Sequence, residues 1–135
     1  MREYKKSYLG LVIWIVLYTA AMTGCAFLPK MDIQILLAVT DNITITGCFV
    51  LTFIIYKTEY IYWYNGTDYT KAKEAGSERR KKFALEHMKR FGKFALFFAV
   101  YSVISILLHI PYGLDITIAV VGIVFVACST TNIKL

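Results

Sequence analysis

Asp41 sits inside an apolar run, Ile35-Leu36-Leu37-Ala38-Val39-Thr40-Asp41-Asn42-Ile43-Thr44-Ile45, that continues to Tyr56. A carboxylate in hydrocarbon is costly unless it is protonated, hydrated or paired, so an acid in such a run is a candidate proton or cation site. Asp41, Thr44, Cys48 and Thr52 fall at offsets 0, 3, 7 and 11, one face of a helix. Two later runs carry comparable stripes: Ser102, Ser105 and His109 at 0, 3 and 7, and Asp115, Ala119 and Gly122 at 0, 4 and 7. If the stripes face one another, Asp41, Thr44, Cys48, Ser105, His109 and Asp115 line an acidic, hydratable cavity. Such a cavity can bind a cation or pass a proton, because a desolvated aspartate beside a histidine can titrate near neutral pH.

Each residue also has a plainer reading. Asp41 can accept hydrogen bonds from Thr40, Asn42 or a tyrosine on a neighbouring helix and simply hold the helices together. His109 is followed by Ile110-Pro111-Tyr112-Gly113 and reads as an interfacial histidine. Asp115 reads as the cap of the last helix, a common place for aspartate. The hydroxyl residues read as helix–helix glue, worth about 0.6 kcal/mol per hydrogen bond.

Other chemistry finds little support. Cys25, Cys48 and Cys128 are far apart, odd in number and without a CxxC spacing, so they suit apolar filling better than a disulfide framework. The chain has no Gly-rich phosphate loop, HExxH or GxSxG. We therefore expect no enzyme, no catalytic residue, no metal site and no cofactor. Glu86 and His87 lie among charges and read as a solvated face. The sequons Asn42-Ile43-Thr44 and Asn65-Gly66-Thr67 fall in membrane and cytoplasm on the topology below, so neither is expected to be used.

The elements that would position Asp41 follow from composition. Of 135 residues, 58% are hydrophobic and 18% charged, with a mean hydropathy of +0.57, more apolar and less charged than soluble domains. Four stretches carry the excess: residues 8–28, 34–56, 94–110 and 114–128. Each is helix-length and lacks the alternation of barrel strands. We expect an all-α integral membrane protein, a single-domain bundle of four transmembrane helices made of two antiparallel hairpins, the fourth helix continuing to about residue 132. The first stretch follows Arg2, Lys5 and Lys6 but is too long for a signal-peptide core and ends in Phe27-Leu28-Pro29-Lys30, so it is read as a permanent helix.

Ten of the fifteen Lys and Arg residues lie between positions 57 and 93, whereas the two short connections at 29–33 and 111–113 hold only Lys30. The positive-inside rule then puts both termini and the middle segment in the cytoplasm of a cell membrane. The second helix is expected to run on to residue 64 and stop at Asn65-Gly66, with aromatic residues 56–64 at the headgroup level. Thr67 or Asp68 would cap a short helix, broken near Gly76-Ser77. Ala84, Met88, Phe91, Ala95 and Phe98 recur at spacings of 4, 3, 4 and 3, so one long helix is expected from about residue 78 to 110. The cytoplasmic segment 67–93 carries the cluster Arg79-Arg80-Lys81-Lys82. It can bind anionic lipid headgroups or an acidic partner, or merely set topology. No nucleic-acid-binding motif is present.

The small pairs Ala20/Gly24 and Thr19/Thr23 suit close helix packing within the bundle or with a second subunit. The architecture is similar to that of small bacterial inner-membrane transporters and channels that work as oligomers, a similarity that does not fix function. Small multidrug carriers hold their key acid in the first helix, and here the first helix has none. Two functions stay open. One is a homo-oligomeric transporter or channel for protons, cations or a small solute organised around Asp41. The other is a non-transporting accessory protein whose basic cytoplasmic helix docks a membrane or cytoplasmic partner.

Overall fold

A computed structural model describes residues 4–28, 30–64 and 66–135. The turn expected at Pro29, the cap at Asn65 and the charge of Arg2 lie outside the described residues. Those residues form only helices: α1 (Leu9–Cys25), α2 (Ile33–Thr58), a 3₁₀ turn (Ile61–Trp63), α3 (Tyr69–Glu74), α4 (Gly76–Leu107) and α5 (Tyr112–Thr130). Helices α2, α4 and α5 are long and apolar enough to cross a membrane. Helix α1 is apolar but has 17 residues, about 25 Å, against a hydrocarbon core of about 30 Å.

The termini of these helices are set by local chemistry. Asp32 opens α2 by accepting a hydrogen bond from the Gln34 N–H at 2.8 Å. Asp68 does the same for α3 with Lys71 N–H, also at 2.8 Å. Gly76, at φ 76°, turns the chain between α3 and α4 where the break was expected. Helix α4 then runs unbroken through 32 residues, as the apolar spacing predicted. It ends in a Schellman motif: His109 takes φ 54°, its N–H donates to Ile106 O, and Ile110 N–H donates to Ser105 O.

The boundary that differs most from expectation is the end of α2. Helix α2 does not continue to residue 64, because Glu59 adopts φ 62° and ends the hydrogen-bond ladder. Distant partners hold that left-handed residue. Tyr4 Oη donates to its carbonyl at 2.8 Å, and Arg80 donates to its carboxylate, Nε at 3.0 Å and Nη2 at 2.9 Å. Ser77 Oγ adds a bond to Oε1 at 2.8 Å and Lys81 Nζ lies 3.5 Å away. Burial alone would raise the Glu59 carboxyl, but these hydrogen bonds and the two cations outweigh it and hold it below the ordinary value of 4.5.

Arg80 is buried. Besides Glu59 it reaches Ala72 O at 3.1 Å and lies 3.9 Å above the Tyr4 ring. It is therefore withdrawn from the lipid- or partner-binding cluster expected of Arg79, Arg80, Lys81 and Lys82; Lys81 is shared with Glu59, and Arg79 and Lys82 remain exposed. The aromatic residues expected at the headgroup level pack around this ion pair. Tyr4 stacks on Tyr69, Tyr62 exchanges hydrogen bonds with both backbone groups of Ser7 at 2.7 Å, and Trp63 Nε1 donates to Ser7 O at 3.1 Å. Ile55, Ile61, Ala72, Phe83 and Ala84 are the apolar centre of this cap.

Helix α2 is the hub of the bundle. It packs chiefly on α4, with α1 and α5 on its flanks. Ile45, Phe98 and Ala119 join α2, α4 and α5 in a second buried cluster. Gly122 lets the Phe94 ring enter α5: a Cβ there would lie 2.2 Å from the ring. Large apolar side chains such as Leu96, Leu107 and Phe125 remain exposed on the outside, the surface expected of lipid-facing helices.

Candidate functional site

Asp115 lies in the first turn of α5 and is buried, only 4% exposed. It does not cap its helix, as the sequence suggested. Its Oδ1 accepts two hydrogen bonds from α4, from Ser105 Oγ at 2.6 Å and Tyr101 Oη at 2.8 Å. The reason is geometric: residues 101 and 105 are one turn apart on α4, so both hydroxyls present to the same neighbour. In apolar surroundings such hydrogen bonds are stronger than in water.

Asp41 faces the same region from α2. Its Oδ2 is buried and has no hydrogen-bond partner among the described residues, and the carboxyl is within electrostatic reach of Asp115. A buried polar atom left unpaired costs about 1–3 kcal/mol. One oxygen of the two carboxyls is thus left without a donor among the described residues.

The next residue, Asn42, turns about 100° away and ties α2 to α4, its Nδ2 donating to Ala38 O at 2.8 Å and Ser102 Oγ at 2.9 Å. Gln34 closes the end of the site: its Nε2 donates to Ile110 O at 2.8 Å, just beyond α4, and adds a second bond to Ser105 O at 3.3 Å. Below the acids lies the dry layer of Ile45, Phe98 and Ala119.

The expected stripes do not converge as one cavity. Ser105 bonds Asp115, and Asp41 lies within electrostatic reach of Asp115. Thr44 turns to α1, where its hydroxyl meets Tyr18 Oη at 3.0 Å and donates to Thr40 O. Cys48 and Thr52 face a separate cavity toward the cap. His109 is exposed in its left-handed turn and belongs to the helix terminus, not to the acid pair. The residues sequence reasoning missed are Tyr101, Gln34 and Asn42. A hydroxyl one turn before Ser105 was the available signal for Tyr101.

All the groups on the acid pair are oxygen donors or acceptors: two carboxyls, a phenol and a serine hydroxyl. That set suits protons or hard cations and offers nothing to soft metals. The chain matches no family model, no curated protein and no solved structure.

Proposed function

We propose that this chain is a four-crossing protein of a cell membrane that takes up and passes protons or a small cation at the Asp41–Asp115 pair. The observation that carries the reading is the buried Asp41 Oδ2 without a donor, set beside a second acid in an apolar run. Proteins rarely keep such an oxygen unless a proton, ion or water serves it. Asp115 is held in place by Tyr101 and Ser105, while Asp41 is left to exchange its partner. Both termini and residues 57–93 are on the cytoplasmic side in this reading, and α1 with its following turn is the fourth crossing.

The accessory reading called for an exposed apolar or charged surface on residues 67–93 and a dry, hydrogen-bonded Asp41. Ala72, Phe83 and Ala84 are buried in the cap while Arg79 and Lys82 stay exposed, and Asp41 Oδ2 has no hydrogen-bond partner among the described residues, which favours the first reading. For the oligomer, the support is the lipid-side surface of α1. Thr19, Ala20, Thr23 and Gly24 line an open groove there, and nothing lies within 4 Å of a Cβ added at Gly24. A second copy can approach such a face closely, and mass measurement in lipid nanodiscs should give a dimer.

The test of the site is Asp41→Asn, which preserves shape and removes titration. Reconstituted in liposomes, the wild type should show pH-dependent proton or cation flux, and the variant should assemble normally and lose it. No flux from the wild type, or equal flux from both, defeats the proposal. Topology is tested separately with a cysteine at exposed Lys82 in a cysteine-free background. Labelling by an impermeant reagent added outside intact cells would overturn the cytoplasmic placement.

A further inference from the structure

At the end of the bundle away from the acid pair, α2, α3, α4, the last turn of α5 with the residues after it, and the loop bearing Tyr64 border an open cavity of about 870 Å³, within the size range of small-ligand sites. Its walls divide by chemistry. Leu51, Phe83 and Phe91 make an apolar side, Lys71 and Lys134 stand on the polar side, and no Asp or Glu side chain is among the described lining residues. Tyr64 and His87 stack between the two, ring centroids 4.2 Å apart. His87 Nδ1 lies 2.9 Å from Phe83 O; a carbonyl only accepts, so the ring donates there and is fixed in orientation.

The donors are unevenly committed. Thr130 and Thr131 spend their hydroxyl protons on Ala127 O and Cys128 O. Tyr64 Oη is buried with no partner among the described residues. Burial also pushes its phenol well above the ordinary tyrosine value, so it stays protonated and can donate. Lys71 has a contact of 3.9 Å to Asp68 between two exposed side chains, which ties it down little. A buried O–H donor, two ammonium groups and an aromatic-aliphatic wall share one cavity.

We propose that this cavity binds one anionic phospholipid, its phosphate at Lys71, Lys134 and the Tyr64 hydroxyl and its acyl chain along Leu51, Phe83 and Phe91. A soluble phosphate would satisfy the polar side and leave the apolar side uncovered, whereas a lipid matches both. Cys48 and Thr52, which also line the cavity, belong to the apolar run of α2, so the cavity reaches the depth of the acyl chains. The inference requires a membrane-embedded chain and is independent of the chemistry of Asp41.

The experiment is native mass spectrometry of the full chain from micelles doped with equal phosphatidylglycerol and phosphatidylcholine. The wild type should retain one phosphatidylglycerol in preference. Lys71→Gln/Lys134→Gln should weaken that retention about 25-fold, roughly fivefold per lysine, and leave phosphatidylcholine unchanged. Tyr64→Phe, which keeps the ring stack, should weaken it several-fold without changing the melting midpoint. Arg79→Gln/Lys82→Gln, outside the cavity, should change it less than twofold. Equal retention of both lipids, an unaffected cavity variant, or an equal loss in the Arg79/Lys82 control would overturn the site. Displacement of the lipid by millimolar glycerol phosphate would overturn it in favour of a soluble anion.

Discussion

Glu59→Gln should be the most damaging single substitution in the cap around Arg80. The Arg80 side chain is 8% exposed and that of Glu59 17%, so water cannot replace a lost partner. Removing one member of a buried pair costs about 3–5 kcal/mol, because the surviving charge is left uncompensated. Glutamine keeps an acceptor for Ser77, and Arg80 keeps Ala72 O and the Tyr4 ring, which favours the low end, about 3 kcal/mol. Arg80→Met should cost less, about 1–2 kcal/mol, because Glu59 retains Ser77 and Lys81. The double variant should recover roughly 2 kcal/mol relative to the sum of the two. Denaturant titration in mild detergent reads this through Trp63 fluorescence in a Trp14→Phe background, since the Trp63 indole is bonded to Ser7 in the cap. A Glu59→Gln cost within about 0.5 kcal/mol of zero, or a larger cost for Arg80→Met, refutes the argument.

The same carboxylate sets a pH response. Its folded value lies below the ordinary, unfolded value of 4.5, so its contribution is fully present above that pH and is lost as pH falls through the folded value. Melting curves from pH 7 to 3 should show a loss below about pH 4.5 that Glu59→Gln lacks. Gly122→Ala places a Cβ 2.2 Å from the Phe94 ring and should cost about 1–3 kcal/mol; Phe94→Leu in the same chain should restore most of the melting midpoint. Ser105→Ala removes the 2.6 Å donor to buried Asp115 and should cost about 2 kcal/mol. That cost should shrink when Asp115 is also made asparagine, as a double-variant denaturation cycle would read.

The long helices were legible because apolar run length and the 3–4 spacing through Phe98 are local properties. The break at Gly76 and the Asp68 cap were legible for the same reason. The end of α2 was not. Glu59 ends it through Arg80, 21 residues away, and Tyr4, 55 residues away, contacts no local pattern carries. In the site, Asp41 and Asp115 stood out as acids in apolar runs, but the stripes misled. A single stripe predicts one neighbour, whereas α2 is surrounded by α1, α4 and α5, so residues on nearly the same face are divided among them: Thr44 to α1, Asp41 toward Asp115. Tyr101 was hidden because a tyrosine in an apolar run reads as a ring facing lipid until the tertiary neighbour is known.

The bonds that Gln34 and Asn42 make to α4 have a consequence for synthesis on the ribosome. Asn42 and Ser102 are 60 residues apart, and Gln34 and Ile110 are 76 apart. At about 5–20 residues per second, the first interval alone lasts roughly 3–12 s. For that time α2 carries the carboxamides of Gln34 and Asn42 with their later partners not yet made, and the carboxyl of Asp41 besides. Such a helix partitions poorly into lipid and should linger beside the insertion machinery or a chaperone until α4 arrives. Yield should therefore depend on how fast residues 59–110 are translated, with slow codons in that stretch lengthening the exposure to proteolysis.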